Sequence, residues 1–147
     1  MQTFKHKDGI VLQELKTKNI DGKRHYVTPG GNYPSVTSIT SQLSAEGIKA
    51  WRARVGEKEA QKIITKASIR GTSVHKLCED YVNNIEFKES NDVFEQIKSE
   101  LDKHLGTIYA VEAPLYSDKL KVAGRVDLIA EWKGKLSIID FKTAKKT

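Results

Sequence analysis

Hydrophobic and polar positions are ordered most sharply between Val122 and Lys142, VAGRVDLIAEWKGKLSIIDFK, where two runs rich in Val, Ile, Leu, Phe and Trp flank Lys133-Gly134. A two-residue break of this kind signals a hairpin, because glycine accepts the positive φ that the tight turn demands. The stretch therefore predicts an antiparallel hairpin. With Lys133 and Gly134 as its loop, Trp132 faces Lys135, and counting outward pairs Leu128 with Ile139, Val126 with Phe141 and Asp127 with Asp140. A loop of two or four residues keeps that pairing, whereas three or five would turn one carboxylate to the opposite face. Leu136-Ser137-Ile138-Ile139 is nearly unbroken in its apolar character and reads as an interior strand.

Upstream, Phe4–Leu15 and Arg24–Thr28 read as short strands around Asn19-Ile20-Asp21-Gly22, whose Asp-Gly favours a turn. Pro29 to Pro34 is a loop by composition, and Ser35 or Thr37 caps a short helix running to about Leu43. From Ala45 to about Lys66 the spacing of Ile48, Trp51, Val55, Ile63 and Ile64 predicts the longest helix. A further helix follows within Ser68–Asn84, opened near Gly71 by Thr72 or Ser73 and carrying Val74, Leu77, Cys78, Tyr81 and Val82 on one face. Glu89–Leu105 is amphipathic, with Val93, Phe94, Ile97 and Leu101 inward. Ile108–Tyr116 is a strand in which Pro114 marks an edge or a bulge.

The hairpin register carries the first chemistry. Like charges at opposed cross-strand positions are destabilising, and a bound cation converts that cost into affinity. Side chains alternate along a strand, so Lys142 shares the face of Asp140, and one face carries Asp127, Asp140 and Lys142. Two aspartates in a lysine-rich chain are ordinarily solvated, but flanking apolar runs make an unpaired carboxylate costly here. His75 and Glu79 share one side of a helix, as a pair for metal ligation or as an ordinary surface contact. Glu112 either joins the acidic cluster or is an exposed strand glutamate.

Composition narrows the setting. The 147 residues, 38% hydrophobic, fit one soluble domain, read as an N-terminal hairpin and loop (1–33), a basic helical part (34–67) and a core (68–147). MQTFKHKDG lacks the apolar core of a signal peptide, and no apolar run is long enough for a membrane span. The one cysteine, Cys78, excludes an intramolecular disulfide and a structural zinc or iron–sulfur site built by this chain alone, and it favours a reducing, cytoplasmic compartment. A net charge of +6 and a pI near 9.3 point to a polyanionic partner, nucleic acid first. Lys49, Arg52, Arg54, Lys58, Lys62 and Lys66 on the long helix form either a solvated face or a wall that tracks a phosphate backbone, and Arg70 and Arg125 extend the set.

Read together, G-T-x-V-H-x-x-x-E (Gly71, Thr72, Val74, His75, Glu79), V-E-x-P-L (Val111, Glu112, Pro114, Leu115), G-R-V-D-L-I and I-I-D-F-K follow one another in an order that resembles the PD-(D/E)XK nuclease superfamily. Within it the chain is similar to RecB-type nuclease domains and mitochondrial genome maintenance exonucleases, including phage exonucleases of that kind. Pro34-Ser35-Val36-Thr37 also looks like the family's N-terminal pattern. The resemblance runs from about Tyr33 onward and implies a mixed α/β, restriction-endonuclease-like core, with helices on a small mixed sheet.

It also implies roles. Asp127 matches the first acidic ligand, Asp140 the second, Lys142 the motif lysine and His75 the additional helix-borne ligand, with Glu79 and Glu112 at acidic positions of variable role. Asp127, Asp140, His75 and the Phe141 carbonyl would then hold Mg²⁺ or Mn²⁺, with no iron–sulfur cluster, for phosphodiester hydrolysis on single-stranded DNA or DNA ends. The expected setting is replication, recombination or repair in the cytoplasm, that of a bacterial host if the chain is phage-encoded. The family core continues beyond the motif lysine with a helix and a further strand. The resemblance therefore implies a longer polypeptide or completion by another chain, with self-association through the exposed edge as one outcome. Two other classes are compatible with the residues: a non-catalytic nucleic-acid-binding module and a structural recombination subunit.

Overall fold

The computed structural model describes residues 3–143, which form β1 (Thr17–Ile20), β2 (Lys23–Thr28), β3 (Gly31–Pro34), α1 (Val36–Val55), α2 (Glu57–Val82), α3 (Asp92–His104), β4 (Leu105–Ser117), β5 (Val122–Trp132) and β6 (Lys135–Ile139). The strands make two sheets, β1-β2-β3 and β4-β5-β6. The architecture is mixed α/β, as expected. Lys133 and Gly134 both take positive φ, 51° and 81°, which is the type I′ geometry that suits a right-twisted hairpin. The register that follows is the one counted from the sequence: Trp132 opposite Lys135, Ala130 opposite Ser137 and Leu128 opposite Ile139.

Several local expectations are corrected. Phe4–Leu15 is not a strand, because a turn at Asp8-Gly9 interrupts it and its only ladder contact among the described residues is the isolated bridge of His6 to Ile108. Gly31–Pro34 is a strand rather than loop: Thr28 pairs with Gly31 around Pro29-Gly30, and alternation buries Tyr33. The helix expected to stop near Leu43 continues to Val55, since Ser41 and Ser44 return their hydroxyls to carbonyls three and four residues earlier instead of breaking it. The helix expected unbroken over 45–66 is cut at Gly56, whose φ of 91° is open to glycine and strained for other residues. Gly71, expected near a helix start, lies inside α2. Leu136–Ile139 is an edge strand among the described residues, with Leu136 and Ile138 exposed, rather than an interior one. Ser35 caps α1 as expected, its side chain accepting from the Ser38 N–H at 3.1 Å.

Two compact units are distinguishable. One is drawn from residues up to Ile10, from Lys62–Ala113 and from Val126 onward. Its core takes Val74, Cys78 and Tyr81 from α2, Phe94 and Leu101 from α3, Ile108 from β4, Leu128 and Ala130 from β5, and Phe141. Tyr81 is the pivot, edge-on to Phe4, Phe87 and Phe94 with ring centroids 5.2, 6.1 and 5.9 Å away. Its hydroxyl donates to Asp102, which satisfies a polar atom the packing would otherwise strand. The other unit, Val11–Gln61 and Pro114–Arg125, carries β1-β2-β3, α1 and a small cluster of Leu15, Tyr26, Tyr33 and Ala123. There the Tyr33 hydroxyl donates to Asp118 at 2.6 Å. Among the described residues, no helix is long and apolar enough to cross a membrane.

Candidate metal centre

The residues that meet come from one helix and one hairpin. Val74, Cys78 and Tyr81 are the buried stripe of α2, and that fixes the rotation of the helix so that His75, beside the stripe, stays half-buried. The His75 Nδ1 lies 2.8 Å from the Gly71 carbonyl, one turn earlier, and donates to it. That commits Nδ1 as a donor, so that in the neutral ring Nε2 is the nitrogen free to ligate, the tautomer a metal-binding histidine needs. Nε2 points at Asp127, 3.1 Å from its Oδ2. The same oxygen accepts from the Phe141 N–H at 2.9 Å, so the hairpin backbone locks the carboxylate in place.

Asp140 follows the last paired residue of β6, opposite Asp127 in the continued register. His75, Asp127 and Asp140 each present one ligand atom, and these atoms all lie within 4.8 Å of one another. Lys142 stands 2.6 Å from Asp140 through Nζ and Oδ2, with its side chain 80% exposed. Burial and a hydrogen bond shared with Asp140 push the Asp127 carboxyl above its ordinary range. Asp140 goes the other way: burial pushes it up, but the hydrogen bonds from Asp127 and Lys142 and the lysine charge outweigh that and hold it low. Asp140 in turn raises the Lys142 ammonium, so Lys142 stays charged. Two neighbouring carboxylates displaced to opposite sides of the ordinary value work against each other's ionisation, a conflict that a divalent cation relieves.

The donor set fits such an ion. Two carboxylates and an imidazole, with the histidine anchored from behind, suit a hard or borderline divalent cation, and no soft thiolate competes because Cys78 is buried as a thiol. Glu79 and Glu112 do not join the three-residue cluster. Glu112 instead sits at a left-handed kink of β4, with φ 52°, two residues before Pro114. Two contacts escaped the sequence reading. The Gly71 carbonyl is detectable as the residue four before His75 in a helix, and the Phe141 N–H is the backbone group that bonds Asp127.

The basic residues divide between the units. Lys49 and Lys58 are exposed, Arg52 is paired with Glu57 and Arg125 with Glu14 at 2.6 Å, so the two arginines are already engaged by carboxylates. Lys62 and Lys66 are exposed on α2. Arg70 and Lys66 line a cavity of about 500 Å³ beside the start of α3, where Arg70 Nε is buried without a hydrogen-bond partner among the described residues.

A family model for the PD-(D/E)XK nuclease superfamily matches residues 37–147. The chain belongs to this superfamily. The matched span of the PD-(D/E)XK chain includes α2, α3 and the whole β5–β6 hairpin, and so every residue of the metal-ligand cluster. It is 27% identical over 126 residues to mitochondrial genome maintenance exonuclease 1 of Mus musculus, covering 77% of this chain and 37% of that protein. The Homo sapiens protein of the same name is 25% identical over 128 residues, with the same two coverages. The chain thus spans a little over a third of the length of these relatives.

Proposed function

We propose that the chain is the catalytic part of a divalent-metal-dependent deoxyribonuclease, an exonuclease acting on single-stranded DNA or DNA ends. The observation that carries this reading is the convergence of His75, Asp127 and Asp140 within 4.8 Å, with Lys142 at hydrogen-bonding distance from Asp140. His75 Nε2 and the two carboxylates would hold Mg²⁺ or Mn²⁺, with the Phe141 carbonyl as a further oxygen. The ion would supply an activated water and neutralise charge on the phosphate and leaving oxygen.

The protein's own groups do the rest. Asp127, fixed by the Phe141 N–H, and His75, fixed by the Gly71 carbonyl, keep the ligand atoms in place before substrate arrives, which is where electrostatic preorganisation gains its effect. Lys142 projects into solvent beside Asp140, so its ammonium faces an incoming phosphate and stabilises the negative charge that develops there. The exposed lysines Lys49, Lys58, Lys62 and Lys66 would supply the salt-sensitive attraction to a polyanion. The test is a metal-dependent cleavage assay on labelled single- and double-stranded DNA. Asp140→Ala and Lys142→Ala are expected to abolish cleavage while largely sparing DNA binding; turnover retained in either variant rules the assignment out.

A further inference from the structure

This inference rests on the nuclease reading above and deepens it by assigning the place where one base of the strand sits. Beside the metal-ligand cluster, and sharing Asp140 with it, lies a cavity of about 280 Å³ between α3 and the end of the hairpin. Its walls are Ile97 and Leu101 from α3 with Trp132 and Ile139 from β5 and β6. That volume is at the small end of ligand clefts, roughly 300–1,000 Å³, and suits one small planar ring system rather than a folded segment. Asp140 and Lys142 line it too, at side-chain exposures of 50% and 80%. The cavity and the candidate metal centre therefore share a border, and the shared residues are the two that would face a phosphate.

The wall is held ready. Trp132 leans on His104, with ring centroids 5.2 Å apart and tilted by 58°, and His104 Nε2 is 3.4 Å from Glu100. A side chain fixed in this way loses little freedom when a ring packs against it. Gln96, also at the cavity, offers both an amide donor and an acceptor, which any base edge can use. We propose that this cavity receives one unstacked nucleobase of the strand being cut, with the adjoining phosphate at Lys142. A base that is paired and stacked in a duplex cannot enter without being pulled out, so the substrate class is single-stranded nucleic acid or a frayed end.

Trp132 and Trp51 are the two tryptophans, so Trp51→Phe leaves Trp132 as the sole reporter. Its emission is followed in EDTA at low salt while a phosphorothioate hexathymidylate is added, and in parallel a fully abasic strand of the same length and charge. The expected result is quenching by the first strand alone, with binding roughly 5- to 150-fold tighter than for the abasic strand. Ile97→Phe, which fills the cavity from the α3 wall and replaces none of the metal-ligand residues, is expected to remove the quench and bring the two affinities within about twofold. Emission that responds alike to both strands overturns the proposal, as does a base-dependent advantage that survives in Ile97→Phe. If that variant fails to fold, the two strands compared on the unfilled cavity decide alone. A negative cleavage assay would sink the nuclease reading and leave the quench standing, whereas a base-independent quench would sink this proposal and leave cleavage standing.

Discussion

Asp127 performs two separable tasks, and two substitutions distinguish them. Its Oδ2 accepts the Phe141 N–H at 2.9 Å, a neutral structural duty, while its charge opposes Asp140 in a site only 16% exposed on the Asp127 side chain. Asp127→Asn keeps an acceptor of the same shape and removes the charge; Asp127→Ala removes both. In EDTA at pH 7.5 the alanine variant should lose about 1–3 kcal/mol, the cost of leaving the Phe141 N–H unpaired. The asparagine variant should stay within about 0.5 kcal/mol of the parent, since an isosteric swap keeps the bond, or exceed it. The direction follows from linkage. A carboxyl raised above its ordinary 3.8 in the fold is favoured there in its protonated form. Its stabilising contribution is complete below that value and is lost as pH rises through the folded pKa. The parent therefore carries an ionisation cost at pH 7.5 that asparagine does not, and asparagine should compare better at pH 7.5 than at pH 4.5. Urea unfolding followed by circular dichroism reads all three proteins. Repeated with Mn²⁺ at a hundred times its dissociation constant, it should show about 2.7 kcal/mol of added stability in the parent and none in either variant. An asparagine variant that falls as far as alanine in EDTA, or that keeps the Mn²⁺ gain, would refute the reasoning.

Two further outcomes follow from the same unit. Gly71 lies inside α2, and among the described residues a Cβ placed there meets only the Thr143 hydroxyl, at an ordinary 3.7 Å, so Gly71→Ala should raise stability by roughly 0.5–1 kcal/mol in thermal unfolding; a loss would mean that the helix needs the glycine for packing. Burial first, and then the Asp127 charge, push the Cys78 thiol up to about 12. Alkylation needs the thiolate, so iodoacetamide at pH 8 should leave native Cys78 unmodified and label it rapidly in urea, with the native rate climbing as pH rises; equal rates in both states would contradict the packing.

The hairpin was readable because its information is local. Lys133-Gly134 sets the turn, the turn sets the register, and the register sets Asp127 against Asp140, with no remote part of the chain involved. The same locality explains where reading failed. The first helix is expected to end near Leu43, but the Ser44 hydroxyl satisfies a carbonyl of its own helix and α1 runs on; the break waits for Gly56, where only the backbone conformation reveals the stop. The strand β3 is hidden inside a Pro/Gly-rich stretch because its pairing with β2 depends on a partner strand, and Leu136–Ile139 reads as interior since apolar content alone does not tell an edge from a centre. The site shows both sides of this. Asp127, Asp140 and Lys142 follow from strand alternation; helix spacing offers His75 only as a partner of Glu79, and its place beside Asp127 enters through a resemblance, because 52 residues separate the two in the chain. What no pattern supplies is orientation. The Gly71 carbonyl turns the imidazole and the Phe141 N–H turns the carboxylate, so the atoms that decide whether three side chains become a metal site are backbone atoms, whose position follows from the element that carries them and not from residue type.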